Sequence, residues 1–520
     1  MGDSTEKKVV TMPSISQPNS AVSDGLSGAA TDIGFKRKSV RGGAAAVVGQ
    51  VVGTVLQIGT TIVLARILSP ADYGLQAMVV TLTAFFSLFK DAGLSTAAVQ
   101  RETLTHEQMS TLFWINLAVG SLLTIVIAAM GPVLAAFYRD RRLTWVTVAS
   151  SSVFFFSSLS VSHSVLLDRA MRFTTSVKIG ILSGTVGTVI AIGMAELGCG
   201  YWSLICQTIS LPIITTAAVW IVVPWIPGRP RWTPEIRSML RFGGTVSLNS
   251  VVVYIAYNTE KILLGRFWGA APLGLYTRAY QLANLPVQQL INAIGVVAFP
   301  GLSRLQGDAG RLRRSFLKAN SFLLSLAIPV VVACGLFSNE AVLIVLGPKW
   351  IGAALVLRLL SPTVLVFALV NPFSWFLRAT GRVGRSLKIA LLIVPVVILG
   401  VLAGLRYGPP GVALGYSVAM VLLFLPLVAW AKHGTGLTTS DYWECIKRPV
   451  IAGFVSGGVG WVVNLIFRST LTPIPLLILE LTVFFAVYAW LLLLVMGQLV
   501  VYKDLVSHLS PRNEDPPASV

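Results

Sequence analysis

The chain has 520 residues, of which 55% are apolar and only 12% are charged, whereas a typical soluble domain has about 25% charged residues. With a mean hydropathy of +0.77, a water-facing globule would expose far more apolar surface than soluble proteins do. The repeated apolar runs have about the 20 residues of a membrane-spanning helix, whereas membrane barrels show alternating segments of about ten residues. The composition therefore predicts an all-α integral membrane protein.

The net charge of +19 comes from 40 basic and 21 acidic residues. Because the basic residues lie mostly between the apolar runs, we interpret their excess as a signal of membrane orientation and expect no nucleic acid partner. The four cysteines and four histidines are scattered, and no nucleotide-binding loop or hydrolase motif occurs. We therefore expect no cofactor, no metal site and no catalytic residues, and the chain is not expected to be an enzyme.

A polar, basic segment at 1–42 is interpreted as a disordered cytoplasmic tail. Fourteen apolar runs follow it, each long enough to cross a bilayer as a helix. These predicted spans lie at 43–65, 75–98, 111–137, 143–165, 177–197, 201–226, 243–265, 275–300, 316–340, 353–377, 386–405, 410–431, 449–467 and 474–502.

The distribution of basic residues supports this number of spans. The segments on the side of the N terminus carry 28 Lys and Arg residues, and the opposite loops carry 8. Basic residues accumulate on the cytoplasmic side of membrane proteins. One span more or fewer would mix the two groups of loops, so the asymmetry predicts fourteen spans with both termini in the cytoplasm.

An internal repeat occurs at an offset of 200 residues. Between 41/241 and 82/282, 11 of 42 ungapped positions are identical, among them Arg66 with Arg266 and Gly74 with Gly274. Two lobes with an even number of spans have the same orientation, as in carriers built from parallel repeats. The predicted divisions are an N-lobe at 43–226, a cytoplasmic linker at 227–242, a C-lobe at 243–431, two additional spans within 449–502 and a cytoplasmic tail at 503–520.

Two stretches carry a family resemblance: LARILSPADYGLQAMVVTLTAFFSLFKDAGLSTAAVQRE at 64–102 and LLGRFWGAAPLGLYTRAYQLANLPVQQLINAIGVVAFPGLSRLQ at 263–306. They resemble the polysaccharide transporter (oligosaccharide flippase) family of the multidrug/oligosaccharidyl-lipid/polysaccharide exporter superfamily. The similarity is greatest to its exopolysaccharide branch, typified by colanic-acid and succinoglycan translocases.

This resemblance implies a two-lobed helical bundle, similar to that of the multidrug exporters, which moves an undecaprenyl-pyrophosphate-linked oligosaccharide across the bacterial inner membrane. The implied pathways are exopolysaccharide or lipopolysaccharide biosynthesis. The implied partners are this lipid-linked oligosaccharide and membrane lipids, with a polysaccharide polymerase and export machinery as further candidates.

Ionisable residues inside spans are costly and are functional candidates by default. Opposite charges can also neutralise each other between helices and simply lock the bundle, and both interpretations remain open for the two adjacent acid–base pairs. The candidates are Lys90 and Asp91 in span 2, Glu260 and Lys261 in span 7, Arg278 in span 8 and Arg378 at the cytoplasmic end of span 10.

Polar residues also form stripes along the two repeat-related spans. Asn249, Tyr257 and Lys261 recur along span 7 at helical spacing, and Gln50 and Gln57 do so along span 1. Such stripes on apolar helices face protein or water more often than lipid. We expect them to line a cationic central cleft that binds the lipid pyrophosphate through charge-assisted hydrogen bonds and opens alternately to the two sides.

Two alternatives remain at this stage. A cation-coupled drug exporter of the same superfamily would favour an acidic cavity, whereas these spans carry more basic than acidic residues. A membrane-embedded polysaccharide-assembly enzyme would require a long polar external loop, and the predicted loops are short.

The predicted orientation can be tested with alkaline phosphatase, which is active only outside the cytoplasm. A fusion after residue 240 should be inactive, because four basic residues within 227–242 mark that segment as cytoplasmic. A fusion after residue 470, in a predicted external loop, is the positive control. High activity of the fusion after residue 240 would contradict the whole topology.

Overall fold

The computed structural model describes residues 48–90, 105–231, 251, 254–255, 257–380, 383–433 and 435–498. Helices make up nearly all of this described part of the chain, which contains no β-strand. They are α1 (Val48–Ile67), α2 (Pro70–Lys90), α3 (His106–Ala129), α4 (Gly131–Tyr138), α5 (Arg142–Arg169), α6 (Phe173–Glu196), α7 (Tyr201–Val222), α8 (Thr259–Trp268), α9 (Ala270–Arg304), α10 (Ala309–Leu336), α11 (Ser338–Val345), α12 (Gly352–Val370), α13 (Phe373–Ala379), α14 (Val383–Gly404), α15 (Gly408–Lys432), α16 (Thr439–Phe467) and α17 (Pro473–Ala489).

The prediction of a multi-pass helical membrane protein is confirmed, but the number of fourteen spans is not. Within the described residues, twelve helical stretches are long and apolar enough to cross a membrane. Most of predicted span 11 and all of predicted span 12 fall in one such stretch, Leu391–Lys432. Much of predicted span 7 lies outside the described residues, as do the tails at 1–42 and 503–520.

Several predicted spans are interrupted near one end. The third predicted span bends at Gly131, where α4 begins with a proline in its first turn. The tenth divides between α12 and α13 at Pro372. Proline has no N–H to continue the helical ladder, which explains why these breaks occur where they do.

The described chain forms two compact units, which meet in sequence between Thr277 and Arg278. In unit 1 the longest packed surfaces join α3 to α5, α6 to α7 and α5 to α7. A buried cluster fills one end of these helices, and its members include Met109, Phe113, Leu167, Val219 and Trp225. The division into repeat-based lobes at 226 and 243 remains a prediction.

Unit 2 contains a close helix pair formed by α14 and α15. Gly400 and Gly404 on α14 meet Gly411 and Gly415 on α15, and a Cβ added at any of the four would lie less than 3.0 Å from a facing carbonyl. Both pairs have the GxxxG spacing that lets helix backbones approach in membranes. Four positions without side chains therefore create this contact.

A reciprocal contact joins the beginnings of α2 and α9 within unit 1. A Cβ added at Gly74 would collide with the carbonyl of Ala270, and one added at Gly274 would collide with that of Pro70. Residues 70 and 270, like 74 and 274, are equivalent in the 200-residue repeat. Such exchange of equivalent contacts is the pattern that a two-fold relation produces.

Local sequence signals explain why the two helices begin beside this contact. At the start of α2, Ser69 and Asp72 hydrogen-bond to each other's backbone N–H groups, and Pro70 occupies the first helical position. At the start of α9, Gly269 has a φ of +81°, a left-handed conformation that glycine adopts without steric cost. This turn lets α9 follow α8 after a single residue.

We expect Gly74→Ala and Gly274→Ala each to destabilise the protein by about 1–3 kcal/mol, because the new methyl group would push a backbone carbonyl out of place. Thermal unfolding of the purified protein in detergent measures this effect. The matched control is Gly193→Ala in α6, where a Cβ meets nothing within 4 Å. Equal stability of Gly74→Ala and Gly193→Ala would contradict the close contact.

Candidate functional site

A small chamber lies inside unit 1, between α2, α4 and the beginning of α8. It has a volume of about 300 Å³, at the lower end of ligand pockets, which run from about 300 to 1,000 Å³. Its lining is mostly apolar and aromatic, with hydroxyl and amide groups at one side. The lining residues are Met78, Thr81, Leu82, Phe85, Leu134, Phe137, Tyr138, Tyr254, Ile255, Asn258, Thr259 and Ile262.

The predicted pair Glu260–Lys261 lies directly beside this lining, in the first turn of α8. Lys261 Nζ donates a hydrogen bond of 2.7 Å to Asn258 Oδ1 and lies 3.9 Å from Glu260 Oε1. The Glu260 residue is only 1% exposed, and its Oε2 accepts no hydrogen bond in the described part of the chain. The two side chains thus form a buried carboxylate beside a partly accessible ammonium group.

Asn258 connects this pair to the chamber. It precedes α8, and its side chain provides no hydrogen-bonded cap to the helix. Its Nδ2 instead donates to the carbonyl of Tyr254 at 3.0 Å, while its Oδ1 accepts from Lys261. The Tyr254 hydroxyl donates in turn to the carbonyl of Thr81 on α2. A chain of polar contacts therefore runs from the ammonium group to a neighbouring helix.

Close packing holds α8 against α4. A Cβ at Gly265 would lie 2.7 Å from the Tyr138 ring, so the absence of a side chain there lets the tyrosine approach. The Arg266 guanidinium stands 5.5 Å from the ring centroid of Phe137, a cation–π distance. These contacts hold the last turns of α8 against α4, while Lys261 lies in the first turn of the same helix.

The other predicted residues of unit 1 that the structure describes do not line the chamber. Tyr257 lies in the turn before α8 and is half-buried, and Lys90 is the last residue of α2. Gln50 and Gln57 are exposed on α1, which contributes no residue to the described lining of the chamber. Asn249 and Asp91 lie outside the described residues, so their predicted places in the site stay predictions.

Two predicted arginines belong to unit 2 and do not line this chamber. Arg278 is half-buried on α9, where its Nη1 donates to Gln281 Oε1 at 2.5 Å. Arg378 is exposed on α13, where it donates to the carbonyl and the hydroxyl of Ser374 and stacks 5.6 Å over Phe299. Both arginines therefore contact residues of their own helix, and Arg378 also contacts a ring on α9.

Sequence reasoning missed the residues that line the chamber, among them Asn258, Tyr138, Thr81 and Phe85. Asn258 could have been found, because it lies three residues before Lys261 and so shares its helical face. The others come from distant parts of the chain, and the aromatic ring of Phe85 lies 5.9 Å from that of Tyr254. No sequence spacing predicts such contacts.

The arrangement can bind a small anionic or hydroxyl-rich group. Lys261 can donate to an anion, while the aromatic rings offer flat apolar faces for a sugar and the hydroxyl and amide groups offer directional hydrogen bonds. Displacement of the ammonium group by a ligand would leave Glu260 without its nearest positive charge. Ligand binding and the charge state of Glu260 are thereby linked.

Comparisons with known proteins identify the family to which the chain is similar. A family model described as "Polysaccharide biosynthesis protein" matches residues 63–355. The teichuronic acid biosynthesis protein TuaB of Bacillus subtilis is 26% identical over 424 residues, covering 79% of this chain and 86% of its own. The lipopolysaccharide biosynthesis protein WzxC of Escherichia coli is 26% identical over 386 residues, covering 71% and 77%.

Solved structures show the fold. The lipid II flippase MurJ in an inward closed conformation superimposes with a TM-score of 0.68 at 15% identity, covering 90% of this chain and all of its own. An inward-facing multidrug-resistance MATE transporter gives 0.57 at 15% identity, covering 74% and 96%. The all-helical fold is therefore shared with both, as the resemblance implied.

A double-mutant cycle tests the buried pair. Lys261→Met should destabilise the protein by about 1–3 kcal/mol, because the buried Glu260 loses its positive partner and has to take up a proton to remain buried. Adding Glu260→Gln should recover most of that loss. The control, Lys447→Met in the exposed pair with Glu444, should cost at most about 1 kcal/mol. Equal unfolding temperatures for Lys261→Met and Lys447→Met would show that the stability of the protein does not depend on the pairing of Glu260 with Lys261.

Proposed function

The chain belongs to the polysaccharide biosynthesis protein family, and on that premise we propose that it translocates a lipid-linked oligosaccharide repeat unit across a membrane. The proposed substrate is undecaprenyl-pyrophosphate-linked, and the proposed membrane is the bacterial inner membrane, with both termini of the chain in the cytoplasm. The product would then be available outside to a polymerase and export machinery.

The name of one relative supports a transporter rather than an enzyme. Besides TuaB and WzxC, the succinoglycan biosynthesis transport protein ExoT of Rhizobium meliloti is 25% identical over 422 residues. These names belong to several different polysaccharides, so they support the class of substrate without specifying its sugars. Exopolysaccharide and lipopolysaccharide assembly are both compatible with the proposed function.

One observation carries the proposal for the site: a buried carboxylate and a partly accessible ammonium group stand side by side next to an aromatic chamber. When the site is empty, Lys261 is held by Asn258 and balances Glu260. An incoming phosphate group would compete for the ammonium, and Glu260 would then take up a proton. This exchange supplies the difference in interaction between two states that alternating access requires.

The chamber is too small for a whole lipid-linked repeat unit. A volume of about 300 Å³ suits one sugar or a phosphate with its first sugar, since larger ligands need pockets nearer the upper end of the usual range. We therefore propose that it holds only the part of the substrate next to Lys261. Arg278, Arg378, Lys90, Asp91, Gln50, Gln57, Tyr257 and Asn249 remain proposed contacts for the rest of the substrate.

A cation-coupled exporter of small molecules is the second candidate, and the buried Glu260 is the observation that favours it. A buried acid can exchange a proton for a cationic substrate. The two candidates differ in what a strain without the protein accumulates: a flippase defect leaves single lipid-linked repeat units on the inner leaflet, whereas an exporter defect does not.

The export test uses a deletion strain complemented with variants of Lys261. The double variant Glu260→Gln/Lys261→Met keeps the pair electrically neutral, so we expect it to be present at normal levels but to lose polysaccharide export. Lys261→Arg should retain part of the export, because the charge survives while its geometry changes. Mass spectrometry of lipid extracts identifies the accumulated intermediate.

The matched control for export is Lys447→Met, which removes a lysine from an exposed ion pair on α16 and should export normally. Normal export by a well-expressed double variant would remove Lys261 from the binding site and leave Arg278 as the next candidate. Accumulation of single repeat units on the outer leaflet would instead indicate a defect in polymerisation.

A further inference from the structure

A second polar site lies in unit 2, where α10 ends, α12 begins and α16 ends. A cavity of about 790 Å³ separates these helices. One side of the cavity is apolar, with Val331, Leu365, Phe454 and Trp461 among its residues. The polar side is formed by Asn339, Glu340, Arg358, Ser361, Asn464 and Arg468.

A buried carboxylate stands behind this polar side, on α17. Glu480 is 0% exposed, and its Oε1 accepts a hydrogen bond of 2.6 Å from Asn464 Nδ2. The same Nδ2 lies 3.5 Å from Glu340 Oε1 on α11. One amide group therefore bridges two carboxylates, while Glu480 Oε2 accepts no hydrogen bond within the described residues.

The positive charges around the cavity do not neutralise these acids directly. Arg358 Nε donates to Ser338 Oγ at 3.3 Å, and Arg468 follows the last turn of α16. In the described ranges, no ion pair within 4.0 Å joins either arginine to Glu340 or Glu480. α10 contributes no charged side chain to the lining of the cavity.

Two carboxylates that share one hydrogen-bond donor repel each other when both are ionised. A buried carboxylate without a positive partner is also costly, because its charge has been removed from water. A single proton on Glu480 removes both the repulsion and the cost of the buried charge. The proton can bind at Oε2, the oxygen that accepts no hydrogen bond within the described residues. A divalent metal ion fits less well, because Mg²⁺ and Ca²⁺ take about six to eight oxygen ligands.

We propose that Glu480, Asn464 and Glu340 form a proton-binding site that is reached through this cavity. In the orientation proposed above, the segments 341–352 and 468–473 lie outside, so the proton enters from the external side. Its uptake lets α17 and α11 pack together without repulsion, and its release favours a looser arrangement. The use of this step to couple proton entry to export rests on the proposed function, whereas proton binding itself does not.

This site is separate from the chamber beside Lys261 and uses different helices. Asn464 and Glu480 lie beyond the part of the chain that the family model matches, 63–355. They belong to α16 and α17, which correspond to the two additional spans predicted after the C-lobe. These two helices therefore contribute an ionisable side chain, Glu480, as well as apolar surface.

Infrared difference spectroscopy of the full chain in lipid nanodiscs tests the proposal without any substrate. The wild-type protein should show a protonated carboxyl band at neutral pH, and Glu480→Gln should lose it. Glu340→Gln should keep the band. The pH at which half of the band disappears should fall in this variant, because the neighbouring negative charge is gone. Glu444→Gln is the control, since Glu444 is an exposed acid on α16 paired with Lys447, and it should leave the band unchanged.

Absence of a Glu480-dependent band at neutral pH would overturn the proposal, as would an unchanged midpoint in Glu340→Gln. Since Glu340 is only partly buried, its variant keeps the test available if Glu480→Gln does not fold. The readout is independent of export, so a failed export test with an intact band would contradict the proposed function alone. A successful export test without a Glu480-dependent band would contradict only the proton site.

Discussion

Close backbone approach at glycine is the contact on which the rest of this bundle depends. In a bilayer the lipid tails are as apolar as leucine, so burial of apolar side chains does not drive helices together as it does in water. Van der Waals contacts between closely approaching helices, hydrogen bonds between helices and the entropy of the lipids supply the attraction. Gly74 against Ala270, Gly274 against Pro70 and the four glycines of α14 and α15 are where these backbones meet.

The glycine contacts also position the chamber in unit 1. Gly265 lets Tyr138 pack against α8, and this contact sets the distance between α8 and the wall of the chamber. The reciprocal contact between α2 and α9 holds the first turn of α2, whose later turns contribute Thr81 and Phe85. A helix held by its backbone at one end presents its side chains at defined places further along.

Both polar sites share one physical design, a buried glutamate with an unpartnered oxygen beside a side-chain amide. Asn258 connects Lys261, next to Glu260, to Tyr254, and Asn464 connects Glu480 to Glu340. An amide group is neutral, so it orients a neighbouring charge without cancelling it. A mobile positive charge neutralises the glutamate at each site. It is the ammonium of Lys261 for Glu260 and, in our proposal, a proton for Glu480.

Composition and periodicity alone determined the membrane class and the helical fold, because the hydrocarbon core admits few ways of satisfying a backbone. The same reasoning selected Glu260 and Lys261, since a charge inside an apolar run is visible in one dimension. It could not find Asn464 beside Glu340, 124 residues apart, nor Tyr138 against Gly265. These contacts depend on which helices become neighbours, and only the tertiary structure decides that, because a glycine or a GxxxG spacing marks a possible close approach without identifying the partner helix.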